Sequence, residues 1–168
     1  MSSFIIRPAE PRDDHAVGEL LVTSFMTAYA RKLPEVVYSD DRKRELRAVA
    51  DKRSEAIVLV AEEAGEVIGT VMLYPPGARA SEAWLANTAD IRQLAVLPRC
   101  FGRRLSGPLM DAAEAAAWAL GVSAISLHTR ASALGVQRLY ERRGYQRDPV
   151  GDLVLPEVHL LAFVLRPS

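Results

Sequence analysis

The spacing of apolar residues changes several times along the chain, and each change marks an element. Ser3 to Arg7 is a short apolar run ended by Pro8 and Pro11, which predicts a strand. The Asp13-Asp14 pair then offers an N-cap for a helix whose apolar face is Val17, Leu20, Leu21 and Ser24-Phe25. Asp40 is placed to cap a second helix reaching Asp51. That helix is strongly charged, and its narrow apolar stripe of Leu46, Val49 and Ala50 predicts a mostly solvated element.

Two β-branched runs, Ala56 to Ala61 and Val67 to Tyr74, flank Ala64-Gly65 and predict a hairpin, which Pro75-Pro76-Gly77 breaks. A loop leads to a strand over Asp90 to Val96. Leu105, Leu109, Ala112, Ala113, Ala116 and Leu120 then recur at helical spacing, and Gly121 is placed to end that helix in the left-handed conformation. Its small alanines suit close packing on a sheet. Ala124 to Thr129 reads as a strand, Leu134 to Arg142 as a helix stopped by Gly144, and His159 to Leu165 as a last apolar strand. The order βααβββαβαβ predicts a mixed α/β fold, antiparallel in front with a strand–helix–strand unit behind it.

Composition narrows the function classes. The 168 residues are 49% hydrophobic and 25% charged, without repeat or linker, so one globular domain over 1–168 is expected. Lys plus Arg and Asp plus Glu both number 21, so no global field draws the protein to nucleic acid or an anionic membrane. Any phosphate binding has to be local. The single Cys100 excludes an intrachain disulfide and fits a reducing, cytoplasmic setting. Met1 to Pro8 lacks a basic region followed by a long apolar run, and no stretch of about 18 apolar residues occurs, so neither secretion nor membrane spanning is expected.

The chemistry-bearing stretch runs from Leu94-Ala95-Val96-Leu97-Pro98 through Arg99-Cys100-Phe101-Gly102-Arg103-Arg104-Leu105-Ser106-Gly107 into the alanine-rich helix. A strand thus delivers a basic, glycine-containing loop to a helix N-terminus, where unpaired amides, the helix dipole and arginines favour a phosphate. An ordinary strand-to-helix turn with solvated arginines is the alternative that spacing leaves open. Two nucleotide loops are excluded. Pro108-Leu109 stands where a P-loop requires Lys and Ser or Thr, and the dinucleotide glycine spacing is absent.

Taken with the second signature, Arg138-Leu139-Tyr140-Glu141-Arg142-Arg143-Gly144-Tyr145, this stretch resembles the GCN5-related N-acetyltransferase (GNAT) superfamily, and particularly its small bacterial members. The hairpin strand Val67-Ile68-Gly69-Thr70-Val71 and the closing Leu160-Leu161-Ala162-Phe163 strand extend the resemblance over nearly the whole chain. It implies an acyl-CoA N-acyltransferase fold: a central, mostly antiparallel sheet with flanking helices, in which the strand through Leu94 splays from its neighbour. It also implies acetyl-CoA as cosubstrate. Leu94, Ala95 and Val96 would offer backbone groups to pantetheine, while Phe101, Gly102, Arg103, Arg104, Leu105 and Ser106 would wrap the pyrophosphate.

The loop departs from the family pattern, which is Arg or Gln, two residues, Gly, one residue, then Gly or Ala. Phe101, Arg104 and Ser106 occupy those three positions, and Gly102 stands between them. The Arg104 side chain would obstruct close backbone approach to a diphosphate. Ser106 is placed to cap the helix, with Pro108 tolerated in its first turn. The altered loop keeps a second reading in play, a catalytically weak or inactive sensor of acyl-CoA or a small molecule.

The resemblance gives Tyr140 the role of general acid toward the departing CoA thiolate, with ring packing as the alternative. Asp90 is the candidate base toward the incoming ammonium. Strand alternation puts it on the face of Arg92, Leu94 and Val96, and an ion pair with Arg92 is its alternative role. Cys100 reads as an incidental loop thiol, and His15, His128 and His159 as structural, without metal-ligand spacing. The acceptor is a small-molecule or peptide amine, whose recognition belongs to the loops Arg31 to Tyr38 and Pro75 to Ala89. Monomer and homodimer are both compatible with the sequence.

Overall fold

The computed structural model describes residues 3–32, 39–156 and 158–168, with the side chains of Tyr29 and Lys32 also outside the description. In chain order the elements are β1 (Ile5–Pro8), α1 (Asp14–Lys32), α2 (Asp40–Arg47), α3 (Val49–Arg53), β2 (Ile57–Glu63), β3 (Glu66–Tyr74), β4 (Thr88–Val96), α4 (Ser106–Ala119), β5 (Ala124–Arg130), α5 (Leu134–Arg142), β6 (Gln146–Arg147), β7 (Leu153–Val154) and β8 (His159–Leu165). They form one mixed sheet in the order β1-β2-β3-β4-β5-β8-β6, with β7 also on β8. β4 and β5 run parallel, and the other pairs are antiparallel.

Local chemistry accounts for most of these boundaries. The β2–β3 hairpin turns through Ala64 (φ 51°) and Gly65 (φ 79°), the two successive positive φ angles that match strand twist in a two-residue loop. Gly121 (φ 77°) and Gly144 (φ 98°) end α4 and α5 in the left-handed region. α4 lies close on the sheet because Gly69 leaves room for it: a Cβ there would stand 2.9 Å from Leu109 Cδ1. Leu59, Val71, Ile91, Ile125 and Leu127 pack on this side with Leu105, Leu109, Met110, Ala113, Tyr140 and Tyr145. On the opposite side, Val58, Val60, Met72 and Tyr74 pack with Val17, Leu20 and Leu21 of α1, and with Leu46 and Val49.

The structure changes several expected elements. The helix expected over Asp40 to Asp51 is two, broken at Ala48 (ψ 57°), and Ser39 rather than Asp40 caps it by accepting from Arg42 N at 3.1 Å. Ala50 is exposed, whereas Lys52, about one turn on from Val49, is buried. Its ammonium donates to the Glu45 carbonyl, and burial pulls its pKa down. Leu120, assigned to the buried face of α4, is 46% exposed, and Ala117 fills that place. The two-residue strands β6 and β7 have too little pattern to be read from sequence.

Candidate active site

β4 and β5 pair through three rungs: Thr88 with Ala124, Ala89 with Ile125, and Asp90 with Ser126. β4 continues to Val96 and β5 to Arg130, so beyond Asp90 and Ser126 the strands diverge and the β4 edge that faces β5 has no ladder partner. A wedge opens between two parallel strands at their C-terminal ends. Backbone groups along it are available to an extended ligand.

A bulge shapes the β4 side of this wedge. Met72 pairs with Arg92 but Thr70 pairs with Ala95, and Gln93, inside the extra length, has φ 58°. The extra residue reverses the alternation. Asp90 and Arg92 lie on the α1 side, whereas Leu94 and Val96 pack toward α4, and Ala95 toward α1. The expected common face for Asp90, Arg92, Leu94 and Val96 is therefore corrected: the pleat carries a phase shift that alternation could not register.

The loop after β4 turns through Pro98–Cys100 and enters α4. Its two left-handed residues are Gly102 (φ 87°) and Arg104 (φ 61°). Arg104 thus adopts the backbone of a glycine despite its side chain, at a cost of about 1–2 kcal/mol. A Cβ added at Gly102 or Gly107 would meet nothing within 4 Å, so the loop borders open space. α4 begins at Ser106 with Leu105 as its N-cap, and no side chain caps it among the described residues. The expected Ser106 cap is thus corrected. The residue lies within the first turn, and the leading amides keep their anion-binding capacity.

The basic residues divide. Arg103 donates twice to Glu63 of β2, at 3.1 and 2.7 Å, and its guanidinium lies 3.6 Å from Cys100 Sγ. The pair holds the Glu63 carboxyl below its ordinary value. Arg103 therefore ties the loop to the sheet. Arg99 pairs with Glu66, while Arg104 is exposed beside the helix start. Leu105 and Cys100 are buried. Phe101 is exposed with the Arg31 guanidinium 5.9 Å from its ring centroid.

Tyr140 of α5 is buried in the α4-side core, edge-on to Tyr145 at 5.7 Å. Tyr145 donates to Glu114 of α4 at 2.8 Å, and Arg143 pairs with Glu114 and Asp111, which fixes α5 against α4. Tyr140 and the α4 N-terminal loop thus belong to the same side of the sheet.

Asp90 lies on the other side with no exposed surface. Its Oδ1 accepts from Ser126 Oγ and its Oδ2 from the Glu82 amide, both at 2.8 Å, while burial raises its pKa. Arg92 does not pair with it. The Arg92 Nε lies 3.3 Å from Glu82, its terminal nitrogen donates to the Ala80 carbonyl at 2.8 Å, and its guanidinium sits 5.6 Å from the Tyr74 ring centroid. The expected Asp90–Arg92 alternative is replaced by two separate ties that hold loop 75–87 on the sheet. Of the other loop expected to recognise the acceptor, Arg31 to Tyr38, residues 33–38 lie outside the described residues.

Two side chains complete this side, His128, read from the sequence as structural, and Trp84. His128 of β5 places Nε2 2.7 Å from the Gly151 carbonyl, and its ring meets Trp84 edge-on at 5.4 Å. Trp84 donates in turn to Asp148 at 2.9 Å. A Cβ at Gly151 would fall 2.2 Å from the indole, so only glycine fits there. The alternation of β5 placed His128 beside Ser126, but nothing in the sequence located Gly151. Among the described residues, no group of three or more His, Cys, Asp or Glu side chains could hold a metal ion.

Comparison with known proteins decides the family. The model of the acetyltransferase (GNAT) family matches residues 16–145, most of the chain and all of the elements that build the wedge. The chain belongs to the acetyltransferase (GNAT) family. It is 32% identical over 94 residues to the N-acetyltransferase YhfO of Bacillus subtilis (strain 168), a match covering 56% of this chain and 61% of that relative. An acetyltransferase of the GNAT family from Staphylococcus aureus Mu50 superposes with a TM-score of 0.75 at 14% identity, covering 98% of this chain and 99% of the other. PaiA N-acetyltransferase from Thermoplasma acidophilum, crystallised in complex with coenzyme A, gives 0.70 at 18% identity, covering 95% and 98%. The GNAT fold implied by the sequence is thus the observed one, including the splayed β4–β5 pair, which runs parallel.

Proposed function

We propose that this protein transfers an acetyl group from acetyl-CoA to a primary amine, both substrates being bound at once. The observation that carries the proposal is the wedge beyond Asp90 and Ser126, which opens beside the uncapped N-terminus of α4. Pantetheine lies along the unpaired edge of Leu94 to Val96, and the pyrophosphate lies over the amides and side chains from Phe101 to Ser106. PaiA, which shares the fold, is crystallised with coenzyme A, and that supports coenzyme A as the group bound. The amine arrives on the face of the wedge opposite Tyr140, where Asp90 and Ser126 stand.

Its nitrogen attacks the thioester carbonyl carbon, and the carbon–sulfur bond breaks. The ammonium first loses a proton to a base on the α1 side, for which Asp90 is a candidate; a backbone amide near Val96 stabilises the oxyanion, Tyr140 gives its phenolic proton to the leaving thiolate, and the proton released as the amide forms returns to Tyr140. Tyr140→Phe is expected to lower the rate of free-thiol release about a hundredfold while leaving CoA affinity and melting temperature near wild type. Wild-type turnover in the variant would reduce Tyr140 to a packing residue.

A sensor reading has one observation in its favour: Arg103 is spent on Glu63, and Arg104 occupies a glycine conformation. It predicts CoA binding without thiol release over a panel of primary amines. Thiol release from any of them decides for the enzyme.

A further inference from the structure

Where β4 and β5 part, the residue of β5 next to Ser126 on the same face is His128. Its Nε2 lies 2.7 Å from the Gly151 carbonyl oxygen. A carbonyl only accepts, so Nε2 carries the hydrogen, and in the neutral ring Nδ1 is left with its lone pair. That Nδ1 is buried and has no hydrogen-bond partner among the described residues. A buried acceptor without a donor costs stability unless a ligand or water supplies one.

The surroundings fix the ring and place it at the site. Trp84 closes on its edge, held by Asp148 from one side and by the absent side chain of Gly151 from the other. Two residues before Trp84, the Glu82 amide binds Asp90, and Asp90 binds Ser126. Residues 82–84 therefore run from the last paired rung to His128. Asp90, by contrast, has both oxygens occupied and no exposed surface.

We infer that His128 is the proton acceptor of the transfer reaction: Nδ1 takes a hydrogen bond, then the proton, from the amine nitrogen, and Gly151 holds the tautomer that leaves Nδ1 free. The inference rests on the acetyltransferase reading above and assigns its base to β5. Before the nitrogen bonds to the acetyl carbon, the ammonium gives its extra proton to Nδ1 and the imidazole becomes doubly protonated; the second proton, released as the amide forms, returns to the Tyr140 oxygen that protonated the thiolate, and Asp90 serves to position the loop that carries Trp84. On product release the proton returns to water.

The test pairs alkylamines, cationic at neutral pH, with their trifluoro analogues, which are neutral there and need no base before attack. Thiol release from acetyl-CoA is measured with ethylamine and 2,2,2-trifluoroethylamine, and with longer pairs of the same kind. His128→Gln keeps an amide donor for Gly151 and loses the imine nitrogen. The expected result is a loss of about a hundredfold or more with the alkylamines and little change with the fluorinated ones. Equal losses on both, or none on either, overturn the assignment.

A second measurement needs neither turnover nor a folded variant. In wild-type protein saturated with CoA, ¹⁵N correlation spectra of the imidazole should give the Nε2–H tautomer and an Nδ1 resonance that moves upfield when ethylamine is added. An Nδ1–H tautomer, or an Nδ1 resonance indifferent to the amine, overturns the inference. If no amine releases thiol from the wild type while Nδ1 still responds, the transferase reading fails and the amine site at His128 stands.

Discussion

Arg104 concentrates the conflict between local preference and ligand binding into one residue. Its φ of 61° lies in the left-handed region, and its side chain is exposed beside the N-terminus of α4. Conformational strain and the addition of a cation act in opposite directions on the loop. Arg104→Gly removes the Cβ clash and is expected to raise stability by about 1 kcal/mol in a urea titration, less some entropy gained by the unfolded chain. A destabilised variant would show that the arginine side chain makes contacts worth more than the strain. The same variant separates two views of CoA binding. Affinity that rises or holds indicates readout by backbone amides, whereas a fall that steepens as salt is lowered indicates a charge contact.

Among the elements, the critical junction is the one where loop 75–87 meets the last shared rung of β4 and β5. Asp90 makes that junction by accepting from Glu82 and Ser126 at once. Burial raises its pKa above the ordinary carboxylate value of about 3.9, so the folded chain holds this proton more tightly than the unfolded one. The stabilising contribution of protonation is complete below the ordinary value and is lost as pH rises through the raised one. Asn is neutral at every pH and can still bridge the two partners, because the Ser126 hydroxyl can turn to accept. Urea titrations from pH 4 upward should therefore show Asp90→Asn gaining on the wild type as pH increases. A difference that shrinks with pH would mean that hydrogen bonds to the carboxylate outweigh its desolvation.

Taken whole, the molecule uses the sheet as a partition. The α4 N-terminal loop and Tyr140 stand on one side, Asp90, His128 and Trp84 on the other, and the wedge is the passage between them. Much of this was legible in the sequence where punctuation is sharp. Gly144 and the apolar run of β8 gave α5 and β8 their observed limits, and the Pro98 to Ser106 loop lies between the strand and the helix expected to flank it. What escaped depended on long-range geometry. The bulge at Gln93, which changes the faces of Leu94 and Val96, leaves no trace in an apolar pattern whose residues are buried on both sides. The capture of Arg103 by Glu63 joins residues 40 positions apart. His128 reads as a buried polar residue until Gly151, from a separate turn, fixes its tautomer.

The central claim is that acetyl-CoA occupies the wedge, with its diphosphate on the start of α4. Amide hydrogen exchange with and without acetyl-CoA tests it most directly, because the groups assigned to the ligand are backbone amides. Protection is expected at Leu94 to Val96 and at Gly102 to Gly107, where the structure provides an unpaired strand edge and an uncapped helix N-terminus. Acetyl-CoA that binds while leaving those two segments unprotected, or that protects a different surface, would contradict the account.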